Sequence, residues 1–224
     1  MAEPGHNWNV AEDVHQYVER VDRGDRRAEG LRLLTRLVQR QPDEPLRVLD
    51  IGTGQGLLAA LLLDAFANTT AIGLDASEPM REVANQRMAA YGDRFQFVMG
   101  DFVSGELPAD ARGPFDVVVS SRAIHHVPTR AKQRLYGAIY QALAPGGAVF
   151  NLDGARPAED ELSAVYRAAG GLPPRARPDE EYARLTNHYF ETLDEQLDLL
   201  RGAGFRLVDC FWKYLDLVLI GGYK

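Results

Sequence analysis

The sequence predicts an α/β fold: a doubly wound, mostly parallel sheet of seven strands with an antiparallel last strand, an N-terminal helical arm and a helical lid insertion. Three observations carry this expectation. From residue 45 onward short apolar runs alternate with amphipathic helical stretches, the rhythm of a parallel sheet with helices on both faces. Central runs such as "DVVVS" are continuously apolar, as a strand covered on both faces requires. Near the end, "FRLVDCFWKY" and "LDLVLIGGYK" lie too close together for a crossover helix, so they pair antiparallel.

The elements follow in order. Residues 1–44 form the arm, in which "EDVHQYVERVDRGDRRAEGLRLLTRLVQRQ" reads as two helical pieces with a break near Gly24. The second piece places Leu31, Leu34, Leu37 and Val38 on one face. Arg26, Arg27, Arg32, Arg36 and Arg40 read as its solvated face, and "QPDEP" ends it. Residues 45–153 form the core: strand "LRVLDI", loop "GTGQG", helix "LLAALLLDAF", strand "TTAIGLD", helix "SEPMREVANQRMAAYG", strand "FQFVMGD", strand "FDVVVSS", helix "TRAKQRLYGAIYQAL" stopped at "APGG", and strand "AVFNLD". Ser77 is the expected N-cap of the second core helix, with Glu78 and Pro79 in its first turn. Residues 154–190 break the rhythm. There "GGLPPRARPDEEY" is rich in proline, glycine and charge between helical stretches "PAEDELSAVYRAA" and "EEYARLTNHY", which reads as a lid over the carboxyl edge of the sheet. Residues 191–224 return to the core with helix "TLDEQLDLLRGAG" and the final hairpin.

Composition narrows the function. The chain has 224 residues, 46% hydrophobic and 25% charged, which suits one globular domain with an inserted piece. Its formal net charge of −7 gives no global field to attract phosphate backbones or anionic lipid, so a nucleic-acid partner is not expected. Cys210 is the single cysteine, which excludes an intrachain disulfide and a multi-cysteine zinc site. The N-terminus has no signal-peptide pattern, and the longest apolar stretch is broken by Asp64. These features point to a soluble, cytoplasmic protein without a membrane partner; a homodimer is compatible with them.

The glycine loop is the most informative motif. A strand ends at Asp50, and Gly52, Gly54 and Gly56 precede a helix, allowing a tight turn and close backbone approach to a ligand at the strand's carboxyl end. The dinucleotide fingerprint G-x-G-x-x-G fails, because its third glycine position is Leu57. Asp75 ends the second strand, where a carboxylate can accept hydrogen bonds from both hydroxyls of a ribose.

The pattern "VLDIGTGQG", with Asp75 in "IGLDAS", Asp101 in "VMGDF" and "ALAPGG" before the fifth strand, resembles the class I S-adenosylmethionine-dependent methyltransferases over roughly residues 45–153. The resemblance implies a Rossmann-like sheet and S-adenosyl-L-methionine as cofactor, with S-adenosyl-L-homocysteine as product. It implies that Asp50, Gly52, Thr53, Gly54 and Gly56 surround the methionine end, with Asp75 and Ala76 at the ribose. It further implies that Met80, Asp101 and Phe102 lie at the adenine and Ser120 beside the cofactor. The arm residues Trp8 and Tyr17 are expected to close over it. More finely, "SSRAIHHV" and the tail "TLDEQLDLLRGAGFRLVDCFWKYLDLVLIGGYK" look like a bacterial and archaeal subgroup of small methyltransferases. Some of its members carry names taken from tRNA wobble-uridine modification enzymes, the carboxy-S-adenosylmethionine synthase among them.

His125 and His126 follow the fourth strand, on the expected acceptor side. One of them is a candidate base for a hydroxyl acceptor, with Asp153 after the next strand to orient it; the alternative is that they only shape the pocket. In the related natural-product O-methyltransferases a histidine in this loop is proposed as the base, with an aspartate after the next strand. No metal is expected, since adjacent histidine rings tend to diverge and no H-x-x-x-H pair or cysteine set supports them. Arg122, Tyr166, His188 and Tyr189 are candidate contacts to the acceptor. The favoured function is methyl transfer to a small molecule, preferably at oxygen. The competitors are RNA modification, chemistry on the cofactor itself, a non-catalytic cofactor-binding partner and, weakest, a dehydrogenase.

Overall fold

The computed structural model describes residues 7–23, 26–171 and 188–224. In chain order the elements are α1 (Ala11–Arg23), α2 (Ala28–Leu37), β1 (Leu46–Ile51), α3 (Leu57–Ala65), β2 (Thr69–Asp75), α4 (Glu78–Met88) and β3 (Phe95–Met99). They continue with β4 (Phe115–Ser121), α5 (Thr129–Ala142), β5 (Leu143–Gly154), α6 (Asp160–Ala169), α7 (Leu193–Gly202), β6 (Arg206–Tyr214) and β7 (Leu217–Tyr223). The expected break at Gly24 and residues 180–187 of the expected second lid helix lie outside the described residues.

The seven strands form one sheet in the order β3-β2-β1-β4-β5-β7-β6. Neighbours from β3 to β5 pair parallel, and β7 runs antiparallel between β5 and β6. Strand order reverses between β1 and β4, which opens a crevice at their carboxyl ends, where ligands bind in such sheets.

Strand periodicity explains why these runs read as continuously apolar. On β4, Val118 packs into the layer that holds Leu135 and Ile139 of α5 and Leu200 of α7. Its neighbours Val117 and Val119 point the other way, into the layer with Leu34 of α2 and Leu62 of α3. Alternate residues of β1 do the same: Leu49 and Ile51 lie on one face and Leu46 and Val48 on the other.

Local chemistry sets the helix boundaries. Ser77 caps α4 by accepting from the Met80 amide at 3.2 Å, with proline in the first turn. Thr192 and Glu195 form a reciprocal capping box at the start of α7. α5 ends at Ala142 with Leu143 as its C-cap, just before "APGG" as expected; the start of β5 is what differs. β5 begins at Leu143, earlier than expected, and residues 144–147 bulge out of it between the Phe115–Leu143 and Val117–Ala148 pairings with β4. Among the described residues no helix is long and apolar enough to cross a membrane.

Candidate active site

A cavity of about 280 Å³ sits over the carboxyl ends of β1, β2 and β4. The β1–α3 loop supplies Asp50, Gly52, Thr53 and Gly54 to its wall, and the end of β2 supplies Asp75 and Ala76. Met80 of α4 and Asp101 and Phe102 after β3 line another side. Arg122 and His126 after β4 line a third, and Trp8 and Tyr17 of the arm complete the wall.

The glycine turn is built by hydrogen bonds that only this backbone shape allows. Gly52 has φ +68°, and a Cβ there would lie 2.1 Å from the Ala123 Cβ. Its amide donates to the Leu74 carbonyl at 2.8 Å, which ties the turn to β2. The Gly54 amide donates to Asp75 Oδ2 at 2.9 Å, and the Ser77 amide donates to Asp75 Oδ1 at 3.0 Å. Asp50 Oδ2 accepts from the Thr53 hydroxyl at 2.8 Å and from the Ala59 amide at 3.2 Å, in the first turn of α3. There the exposed end of the helix dipole favours negative charge. Burial nevertheless pushes the Asp50 carboxyl up to about 7, against those hydrogen bonds. Burial also raises the Asp75 carboxyl above its ordinary value.

Two expected cofactor residues stand behind the wall rather than on it. Gly56 has φ +85°, and a Cβ there would meet the Met88 Sδ at 2.7 Å, so its smallness serves the packing of α3 on α4. Ser120 is buried and its hydroxyl donates to the Ile51 carbonyl at 2.8 Å, bracing β4 to β1. Ser121, the next residue, faces the cavity instead. It accepts from the Arg27 guanidinium at 2.9 Å. Arg27 is only 5% exposed and lines the cavity, which corrects its assignment to a solvated face. No sequence signal separates it from the other arginines of the arm; it lies just before α2 and turns toward the sheet.

The histidines sit on a single 3-10 turn, Ile124–His126, anchored by buried Ile124. His125 is buried. Its amide donates to Asp153 Oδ2 at 3.0 Å, and its Nδ1 lies 2.7 Å from Asp153 Oδ1. Burial pushes the Asp153 carboxyl up, but the His125 imidazole and the amides of His125 and Gly154 outweigh burial and hold it well below the usual carboxylate range. With that carboxylate ionised, Nδ1–H is the donor and Nε2 is directed away from Asp153. The His125 ring stacks on Phe190 at 5.0 Å.

The expectation that the two rings diverge fails. Their centroids are 4.1 Å apart, and the His188 ring joins both at 4.8 Å. The tight turn and the clamp on His125 set the pair side by side, and the segment returning from the lid adds the third ring. Burial pushes the His188 imidazole down to about 3, helped by the charges of His125, His126 and Arg122, so it stays neutral. Only His126 of the three lines the cavity; its ring lies 6.0 Å from that of Trp8.

The other acceptor-side expectations separate. Arg122 is exposed on the wall with φ +56°. Tyr189 contributes backbone: its amide donates to the His125 carbonyl at 2.7 Å, and its carbonyl accepts from the Lys132 ammonium. Tyr166 is not brought to the cavity; its ring sits 5.6 Å from the Lys213 Nζ.

The methyltransferase domain family matches residues 48–147. An uncharacterized methyltransferase from a Geobacillus species is 32% identical over 159 residues, 70% of this chain and 68% of that protein. The ubiquinone/menaquinone biosynthesis C-methyltransferase of Desulfotalea psychrophila is 30% identical over 183 residues, 78% of this chain and 71% of that protein. Among solved structures, an O-methyltransferase family protein from Burkholderia thailandensis superposes with a TM-score of 0.71 at 17% identity. That match covers 96% of this chain and 59% of the other. The chain belongs to the class I S-adenosylmethionine-dependent methyltransferases. Against three further curated methyltransferases it spans about half their length, between 46% and 54%.

The family's cofactor is S-adenosylmethionine, and the residues present fit it. Two carboxylates stand at the ends of adjacent strands, and a Cβ at Gly52 would close the turn. The buried Gln55 Oε1 on the cavity wall has no hydrogen-bond partner among the described residues.

Proposed function

We propose that the protein methylates a small-molecule acceptor, at oxygen, in the cavity between the glycine turn and the three histidines. The observation that carries this reading is continuity: His126 shares one cavity with Asp50, Gly52 and Asp75. Bound S-adenosylmethionine supplies a methyl group activated by its sulfonium. Asp75 accepts from the ribose hydroxyls, and Asp101, Phe102 and Met80 hold the adenine. Asp50 faces the cationic amino group, and Arg27 answers the carboxylate of the same end. Arg122 and His126 form the acceptor side, with His125 fixed behind them by Asp153. The acceptor oxygen bonds to the methyl carbon as the carbon–sulfur bond breaks. Its proton would leave to water at the His126 edge of the cavity, and S-adenosylhomocysteine would be left. Orientation contributes much of the acceleration in such a displacement.

The test is a metabolite extract incubated with the protein and methyl-labelled cofactor. Label in a small molecule, together with calorimetric binding of S-adenosylhomocysteine, supports the reading. Label confined to tRNA, or binding of NAD alone, overturns it.

A further inference from the structure

We propose that His125, His126 and His188 form a binding site for one divalent transition-metal ion, of the zinc or ferrous class, beside the acceptor end of the cavity. The inference deepens the proposed function, since it concerns how the acceptor side of that site is built. One ligand nitrogen from each of the three side chains lies within 4.8 Å of the others. In a tetrahedral site with metal–nitrogen bonds of about 2.0–2.1 Å the nitrogens stand roughly 3.4 Å apart, so small side-chain rotations close the set.

A second, independent observation points the same way. The buried Asp153 carboxylate holds His125 Nδ1 at 2.7 Å. A ligating histidine almost always gives its other ring nitrogen to such a carboxylate, which fixes the tautomer and orients the ligand. Asp153 also places a negative charge directly behind the cluster, opposing the nearby guanidinium of Arg122. The cluster is held from two sides: the 3-10 turn carries His125 and His126, and the Tyr189 amide pins the segment carrying His188 to the His125 carbonyl at 2.7 Å.

The donor set selects the ion. Three imidazoles without a carboxylate ligand suit zinc, iron, nickel or copper rather than magnesium or calcium. Three protein ligands leave at least one coordination position open, as catalytic rather than structural sites do. Because His126 borders the cavity, an ion held by the cluster lies beside the proposed acceptor end. The class of acceptor implied is one whose oxygen can coordinate: a hydroxyl of an enol, a phenol or a hydroxy acid.

The test uses the full chain, stripped with a chelator and titrated with Co²⁺ and, separately, Zn²⁺ and Mg²⁺. Expected is saturable binding of one Co²⁺ per chain, with visible absorption bands of nitrogen coordination, displacement by Zn²⁺ and no response to Mg²⁺. His188→Ala and His126→Ala should each weaken binding at least tenfold, and Asp153→Asn about 10- to 100-fold. His15→Ala, on the exposed face of α1, should change nothing. Absence of saturable binding, or binding that survives His188→Ala, overturns the proposal. Calorimetry with S-adenosylhomocysteine on the same samples reports folding and the cofactor site separately. Intact cofactor binding without metal binding defeats this inference alone, and the reverse result defeats the cofactor assignment alone.

Discussion

At the scale of single residues, Asp50 makes the sharpest prediction. Burial sets its carboxyl at about 7 in the ligand-free protein. In the proposed complex the cationic end of the cofactor faces Asp50 and favours the ionised form, so binding drives a proton off. Affinity for S-adenosylmethionine should rise as pH passes up through about 7 and level off above it, by at most tenfold per pH unit. Calorimetry in two buffers of different ionisation enthalpy reads the released proton directly; no proton release on the acid side of 7 refutes the assignment. The sign for folding is opposite. A carboxyl raised by folding contributes stability that is full below its ordinary value and is lost as pH rises through the folded value. The ligand-free protein should therefore lose stability toward pH 7 from this group. Gly52 gives a second test. Gly52→Ala forces a left-handed alanine, about 1–3 kcal/mol, and drives its methyl into Ala123. Both the denaturation midpoint and cofactor affinity should fall. These residues were legible because the glycine-loop motif fixes both, Gly52 by its backbone shape and Asp50 by its place at the end of the strand. Arg27 and Ser121 were not, because their place on the wall is decided by how α2 lies against β4, and that is a tertiary fact. Ser121 rather than Ser120 reaches the wall for a related reason: on a strand, neighbours face opposite ways.

At the scale of elements, the buried ion pair between Lys132 of α5 and Glu191, before α7, deserves a direct measurement. Both side chains are buried, and the Lys132 ammonium also donates to the Tyr189 carbonyl. The pair therefore clamps the segment that carries His188 onto α5. Removing one partner leaves a buried charge without its counter-charge, which costs about 3–5 kcal/mol. Glu191→Gln should lower stability by that order in urea denaturation. The double substitution Lys132→Met with Glu191→Leu should recover most of it. If Glu191→Gln is neutral, the clamp contributes nothing to the fold. Nothing in the sequence paired these residues, which stand 59 positions apart. The strands and helices themselves were legible, since two-sided apolar runs and helical amphipathicity follow directly from burial. The start of β5 was not: proline and glycine signal a turn locally, but Leu143 before them already pairs with Phe115 of β4, so they form a bulge inside the strand.

At the scale of the whole molecule, the arm and the sheet close the cavity together, and their coupling can be measured. The core is two large apolar layers on the faces of the sheet. Of the arm, α2 belongs to one of these layers, while α1 adds only a small third cluster, Val14 and Val18 against Met80, with Trp8, Tyr17 and Val83 at its edge. So little buried apolar contact gives α1 a low opening free energy compared with the strands. In the proposed complex the cofactor touches Trp8, Tyr17 and Met80 at once, so it binds the closed arm and not the open one. A ligand at 100 times its dissociation constant then stabilises the closed form by about 2.7 kcal/mol. Amide hydrogen exchange in α1 should therefore be fast without ligand and slow roughly 100-fold on saturation with S-adenosylhomocysteine. Exchange in β4 and β5 should change far less at temperatures where global unfolding is rare. Trp8→Ala should shrink the protection of α1 and weaken cofactor binding in step, because both draw on the same closed state. Unchanged exchange in α1 on saturation would mean that the arm does not close on the cofactor, and that the cavity wall built by Trp8 and Tyr17 serves folding alone.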